Sequence, residues 1–224
     1  MKLTKYEHAC LVLEISGDKL IIDPGAFTMP LGDIGDVIAV VITHEHPDHW
    51  TPEQLGRILA RNPDAKIYGP AGVKLAAADF EIIESHDGDS VEVGPFTLDF
   101  YGERHAVIHS SIPLVDNVGV MVNQTLFYPG DAFTVPPVPV DTLAVPAGAP
   151  WLKIGETMDY VTAVAPKGHV KVVDGRDGIG DPWHRRCGDV GDGSPFRNSD
   201  AHVSSSRCRG RRDSGTSMGH SPVN

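Results

Sequence analysis

Residues 37–42, Val-Ile-Ala-Val-Val-Ile, run directly into Thr43-His44-Glu45-His46-Pro47-Asp48-His49, and this junction constrains the chain more than any other stretch. The apolar run is short, continuous and rich in β-branched residues, with no helical period, so it predicts a buried strand. The polar run places three imidazoles and a carboxylate within six residues, straight after the strand. Side chains two apart in extended backbone point the same way, so His44 and His46 are expected to share one metal ion. Pro47 turns the chain and redirects Asp48 and His49 towards a second ion. A His-rich surface loop is the plain alternative, and the buried strand immediately upstream argues against it.

The flanking sequence alternates strand pairs with helices. Residues 11–15 and 19–22 read as a hairpin closed at Ser16-Gly17-Asp18. Residues 52–61 carry Leu55, Ile58 and Leu59 at helical spacing, with Thr51 as cap and Pro52 in the first position. Residues 66–68 predict a strand and residues 71–78 a short helix. Residues 91–93 and 96–101 pair through Gly94-Pro95, and 118–122 pair with 125–128 through Asn123-Gln124. Residues 155–165 predict a late helix. Strand pairs followed by helices, repeated, predict an α/β sandwich rather than a simple βαβ ladder.

These elements carry a resemblance. His44-x-His46-x-Asp48-His49 resembles the signature of the metallo-β-lactamase-fold hydrolases. Leu20-Ile21-Ile22-Asp23-Pro24-Gly25 looks like that superfamily's first motif, and Gly102-Glu103-Arg104-His105-Ala106 like its third. Phe127-Tyr128-Pro129-Gly130-Asp131 looks like the Gly-Asp motif of the bridging carboxylate. His8-Ala9-Cys10 and Ala149-Pro150-Trp151-Leu152-Lys153 are similar to the small, single-domain UlaG-like or YtkL-like bacterial branch. The resemblance covers about residues 1–167 and implies a four-layer αβ/βα sandwich.

It also implies a site. His44, His46 and His105 would hold one metal, Asp131 would bridge to a second, and Asp48 and His49 would hold that second ion. Asp48 would also orient the nucleophile, as the catalytic residue, while Asp23 would fix a ligand histidine from behind. His8 and His109 would line the pocket; a satisfied structural role is an equal reading for His8, and a polar loop role the stronger one for His109. Neutral imidazoles and carboxylates suit zinc, and also manganese or iron. Two cations sharing a water bring its pKa towards neutrality and supply hydroxide for attack on an ester, lactone, thioester or phosphoester. The alternative function is a catalytically impaired or non-catalytic hydrolase-fold protein lacking its last metal ligand.

That alternative arises from the C-terminal segment. Residues 1–167 contain 10 basic and 23 acidic residues; residues 168–224 contain 9 and 7, and no leucine. Where the resemblance calls for a final His ligand, the chain has Val173, and His169 falls four residues early. The expected organisation is a hydrolase-like domain over residues 1–175, incomplete at its end, followed by a low-complexity tail over 176–224. Such a tail buries too little apolar area to offset its ordering entropy. A frame-shifted reading of the gene beyond residue 167 would account for the change. His184, His202 and His220 fall in this tail and read as solvated. Cys187 and Cys208 lack partners at metal spacing.

Composition narrows the partners. A net charge of −11 argues against nucleic acid and anionic membranes. No apolar run approaches the roughly 18 residues of a membrane span. The first residues lack the pattern of a signal peptide. Three widely spaced cysteines do not form a disulfide framework, and Cys10 reads as a small buried residue. The expected setting is cytoplasmic, the expected partner a small-molecule substrate. The resemblance adds a homo-oligomer.

Overall fold

The computed structural model describes residues 1–172. The strand expected at 37–42 forms as β4, Val37–Val41, and it lies inside a six-stranded sheet ordered β1-β2-β3-β4-β5-β6. The preceding strands are β1 Lys2–Lys5, β2 Leu11–Ile15 and β3 Asp18–Ile22. The following ones are β5 Lys66–Gly69 and β6 Ile82–Glu84. β1, β2 and β3 pair antiparallel, whereas β3 to β6 run parallel. Ser16 and Gly17 both have positive φ, 55° and 102°, which closes the β2–β3 hairpin with the twist its strands require.

The second sheet is ordered β12-β11-β10-β9-β8-β7. It comprises β7 Ser90–Val93, β8 Phe96–Tyr101, β9 Gly119–Val122, β10 Leu126–Tyr128, β11 Thr142–Pro146 and β12 Gly168–Val172. Asn123 and Gln124, both at positive φ, close the β9–β10 hairpin. The strands β1, β6 and β11 are too short, or too broken by polar residues and proline, to carry a clear pattern in the sequence.

The two sheets pack face to face. Leu11, Leu13, Leu20, Ile22 and Val41 of the first bury against Phe96, Phe100, Val120, Val122 and Tyr128 of the second. Because side chains alternate along a strand, Val12, Ile21 and Val40 point the other way and meet Leu55, Ile58 and Val73 of the helices α1, Pro52–Arg61, and α2, Ala71–Ala76. Met121, Phe127, Leu143 and Val145 likewise meet Tyr160 of α3, Ile154–Val164. The result is the four-layer αβ/βα sandwich. Strands buried on both faces explain why residues 37–42 are apolar without alternation.

Thr51 caps α1 as expected, its side chain accepting from the Gln54 amide at 3.1 Å. Gln54, buried on the same helix, donates to the Thr28 and Met29 carbonyls at 2.9 and 3.1 Å. Through it, α1 holds the loop that follows Asp23. Among the described residues no helix is long and apolar enough to cross a membrane. The domain boundary at 175, the tail over 176–224, Val173 and the histidines and cysteines beyond it lie outside the described residues.

Candidate metal centre

The site is built where β3, β4 and β10 end along one edge of the sandwich. β3 delivers Asp23, β4 the segment from Thr43 to His49, and β10 the Pro129-Gly130-Asp131 turn. The loop after β8 delivers His105, whose amide donates to Val115 O at 3.1 Å. Residues 44 and 45 form a bend rather than the extended segment expected, and residues 47–49 form a turn in which the His49 amide donates to His46 O at 3.0 Å.

Despite the bend, His44 and His46 stay neighbours, with ring centroids 4.8 Å apart. His105 completes a triangle, 4.9 Å from His44 and 4.8 Å from His46. One ligand atom from each lies within 4.8 Å of the others, close enough to share a cation. His44, His49 and Asp131 form a second such group, and His8, Asp48 and His49 a third. Asp131 faces two of these groups at once. Its Oδ2 lies 3.4 Å from His105 Nε2, and its Oδ1 lies 3.4 Å from His49 Nε2.

The tautomers are set from behind. Asp23 is fully buried and accepts from the Thr43 amide at 2.8 Å and from Thr43 Oγ1 at 2.7 Å. It also lies 2.7 Å from His49 Nδ1, which donates to it. The Thr43 hydroxyl, having given its proton to Asp23, accepts from His44 Nδ1 at 3.0 Å. His105 Nδ1 donates to Ala106 O at 2.5 Å. With Nδ1 carrying the proton on all three rings, each Nε2 presents a lone pair to the centre. His44 Nε2 and His105 Nε2 are buried and have no hydrogen-bond partner among the described residues. An orphaned buried nitrogen is costly unless an electrophile occupies the space it faces, so this donor set fits a cation.

Electrostatics agree. Burial, reinforced by the neighbouring His49, pushes His44 far below the usual imidazole range. His46 is lowered as well, by burial first and His105 second. Both are therefore neutral near pH 7, the state that binds metal. Burial raises the Asp48 carboxyl, but a hydrogen bond with His8 and the proximity of His49 outweigh it and leave a net lowering.

Two glycines permit the close packing of these loops. A Cβ on Gly25 would sit 1.7 Å from Asp48 O. Gly130, at φ +66°, would place one 2.4 Å from Asn117 Oδ1 and 2.7 Å from Thr43.

Several contributors had no role assigned from the sequence. Trp151, part of a motif quoted for the resemblance, is buried and donates from Nε1 to Asp131 Oδ2 at 2.9 Å. Asn117 is buried, accepts from the Asp131 amide at 3.0 Å and donates to Pro129 O at 2.8 Å. Thr43 links Asp23 to His44. Trp151 and Asn117 act from distant positions in the chain, and only the fold brings them in; Thr43 adjoins His44, and the fold supplies its Asp23 partner.

Two histidines are not brought to the centre. His109 lies on an exposed loop, its Nδ1 2.8 Å from Ser111 Oγ, in keeping with the polar loop role that was its stronger reading. His169 pairs in register with Leu143, which pairs with Phe127, so it sits short of Asp131 along the sheet. It is exposed and alternates away from Val170, which packs towards the sheet interface. His169 thus does not stand in for a last ligand. Cys10 is fully buried, and burial pushes its thiol far above its usual range, consistent with a packing role.

Comparison with known proteins places this arrangement. Residues 2–172 match the family described as the beta-lactamase superfamily domain. The chain is 39% identical over 172 residues to Protein Rv0786c of Mycobacterium tuberculosis, covering 74% of this chain and 80% of that one. It is 30% identical over 118 residues to a UPF0173 metal-dependent hydrolase of Chelativorans sp., spanning 47% of this chain and 49% of the relative. Among solved structures, Igni18, a metallo hydrolase from the archaeon Ignicoccus hospitalis, aligns with a TM-score of 0.59 at 19% identity, covering 76% of this chain and 81% of that one. At that identity the likeness speaks for the fold alone.

Proposed function

The chain belongs to the beta-lactamase superfamily, and from that membership we propose that it is a metal-dependent hydrolase centred on His44, His46 and His105. The observation that carries the proposal is the pair of buried Nε2 atoms on His44 and His105, aimed at common ground with their Nδ1 positions already committed. Asp131, its two oxygens facing His105 and His49, would add a carboxylate to the same centre. Asp23 and Trp151 orient the ligands and bind no metal themselves.

When bound, the cation supplies Lewis acidity and a water nucleophile available near neutral pH. The residues of the chain would do the rest: His44, His46 and His105 would hold the cation, and Asp48, with its carboxyl held ionised, would accept a hydrogen bond from water at the site and orient it. Zinc fits the nitrogen-rich donor set best, with manganese and iron as alternatives. We assign the substrate to small molecules with an ester, lactone, thioester or phosphoester bond, and the setting to a reducing compartment such as the cytoplasm, consistent with the buried thiol of Cys10.

The test is a hydrolysis screen over those four bond types with zinc-loaded protein. The proposal expects turnover of at least one class, abolished by chelation and restored by metal. Absence of turnover with all four, by folded and metal-loaded protein, would favour a binding role instead.

A further inference from the structure

His8 is the residue whose placement goes beyond this reading. It is 3% exposed, although the N-terminal segment that carries it is otherwise remote in sequence from the histidine motif. Its backbone is left-handed, φ +56°, a conformation uncommon for a residue other than glycine. The turn is held from several sides. The Lys5 ammonium donates to the Tyr6 and His8 carbonyls. Thr28 Oγ1 and the Cys10 amide donate to Glu7 O at 3.2 and 3.3 Å. The Phe27 ring packs edge-on against the imidazole, centroids 5.0 Å apart. The fold thus sustains an unfavourable backbone state in order to put this ring beside Asp48 and His49.

The distances among these groups are those of a coordination shell. His8 Nε2 lies 3.1 Å from Asp48 Oδ2, and His49 Nε2 lies 3.8 Å from the same oxygen and 3.4 Å from Asp131 Oδ1. Tetrahedral bonds of about 2.0–2.1 Å place neighbouring donor atoms about 3.3 Å apart. The three donor-to-donor distances bracket that value. A histidine present only to orient Asp48 would require the short contact to Asp48 alone, whereas here His8, Asp48 and His49 each offer a donor atom within 4.8 Å of the others, and Asp131 joins through His49 alone. His169 is too far along the sheet to serve.

We propose that His8 is a ligand of a second metal ion, held with Asp48 and His49. This rests on the reading of the site as a metal centre and adds a donor from the N-terminal turn.

The experiment is metal stoichiometry of the full chain, wild type, His8→Ala and His8→Asn, by elemental analysis after zinc loading and by cobalt(II) titration followed through its visible absorption. Asparagine is included because it tolerates left-handed backbone and keeps an amide donor for Asp48. Wild type is expected to take two ions. Both variants are expected to keep one tightly and to bind the second on the order of 100-fold more weakly, with its cobalt band lost. Two ions in the folded Ala variant at unchanged affinity would overturn the proposal, as would rescue of the second ion by Asn, which would leave His8 a positioning residue. A single ion in wild type would also overturn it while leaving the centre at His44, His46 and His105 intact. No ion in wild type would remove the metal-centre reading itself.

Discussion

The first sheet contributes to the site as one contiguous segment, Thr43 to His49, braced by the single buried carboxylate of Asp23, whereas the second sheet contributes His105 and Asp131 as isolated residues with separate supports. Damage on the first side therefore spreads. Asp23 satisfies a backbone amide, a hydroxyl and an imidazole, and through the hydroxyl it fixes a second imidazole. On the second side, Trp151 braces one oxygen of Asp131 and Asn117 braces the turn before it, so a lesion in one leaves the other in place.

Substitutions on the two sides separate these behaviours. Asp23→Ala deprives three buried donors of their acceptor at about 1–3 kcal/mol each, so about 3 kcal/mol or more of stability should be lost in denaturant titration together with bound metal. Gly25→Ala forces apart the loops that carry Asp23 and Asp48. Its expected cost is about 3 kcal/mol, a fall in Tm of roughly 6–12 °C. Trp151→Phe preserves most of the packing and removes one hydrogen bond to Asp131. Metal affinity should fall about 10–100-fold by chelator competition, with a stability change of about 1 kcal/mol. If Trp151→Phe unfolds the protein as Asp23→Ala does, the contrast between the two sides fails. Thr51→Ala, which removes the cap of α1 away from both, should cost about 1 kcal/mol and leave metal affinity unchanged.

The same contrast governs what the sequence could reveal. The proposed ligands of the first sheet stand within six residues of each other, so their chemistry is legible from spacing alone, and the strand that carries them announces itself by its apolar run. His105 and Asp131 are isolated, and only resemblance to a family pointed to them. The roles of Trp151 and Asn117 are invisible at that level because their partners lie far away in the chain, and that of Thr43 because its Asp23 partner is set by the pairing of β3 with β4. The fold followed from hairpin turns and paired strands, with β1, β6, β11 and β12 lost because three to five residues carry too little period. His109 and His169 show the limit from the other side. Each lies near a motif in sequence, and each is turned away by a loop or by strand register.

The central claim is that one cation sits among His44, His46 and His105. Anomalous diffraction from crystals of the zinc-loaded protein tests it directly. The account predicts a peak at the zinc edge about 2.0–2.1 Å from a ring nitrogen of each of the three histidines. A peak elsewhere in the molecule with that triangle empty, in protein that is folded and saturated with zinc, would contradict it.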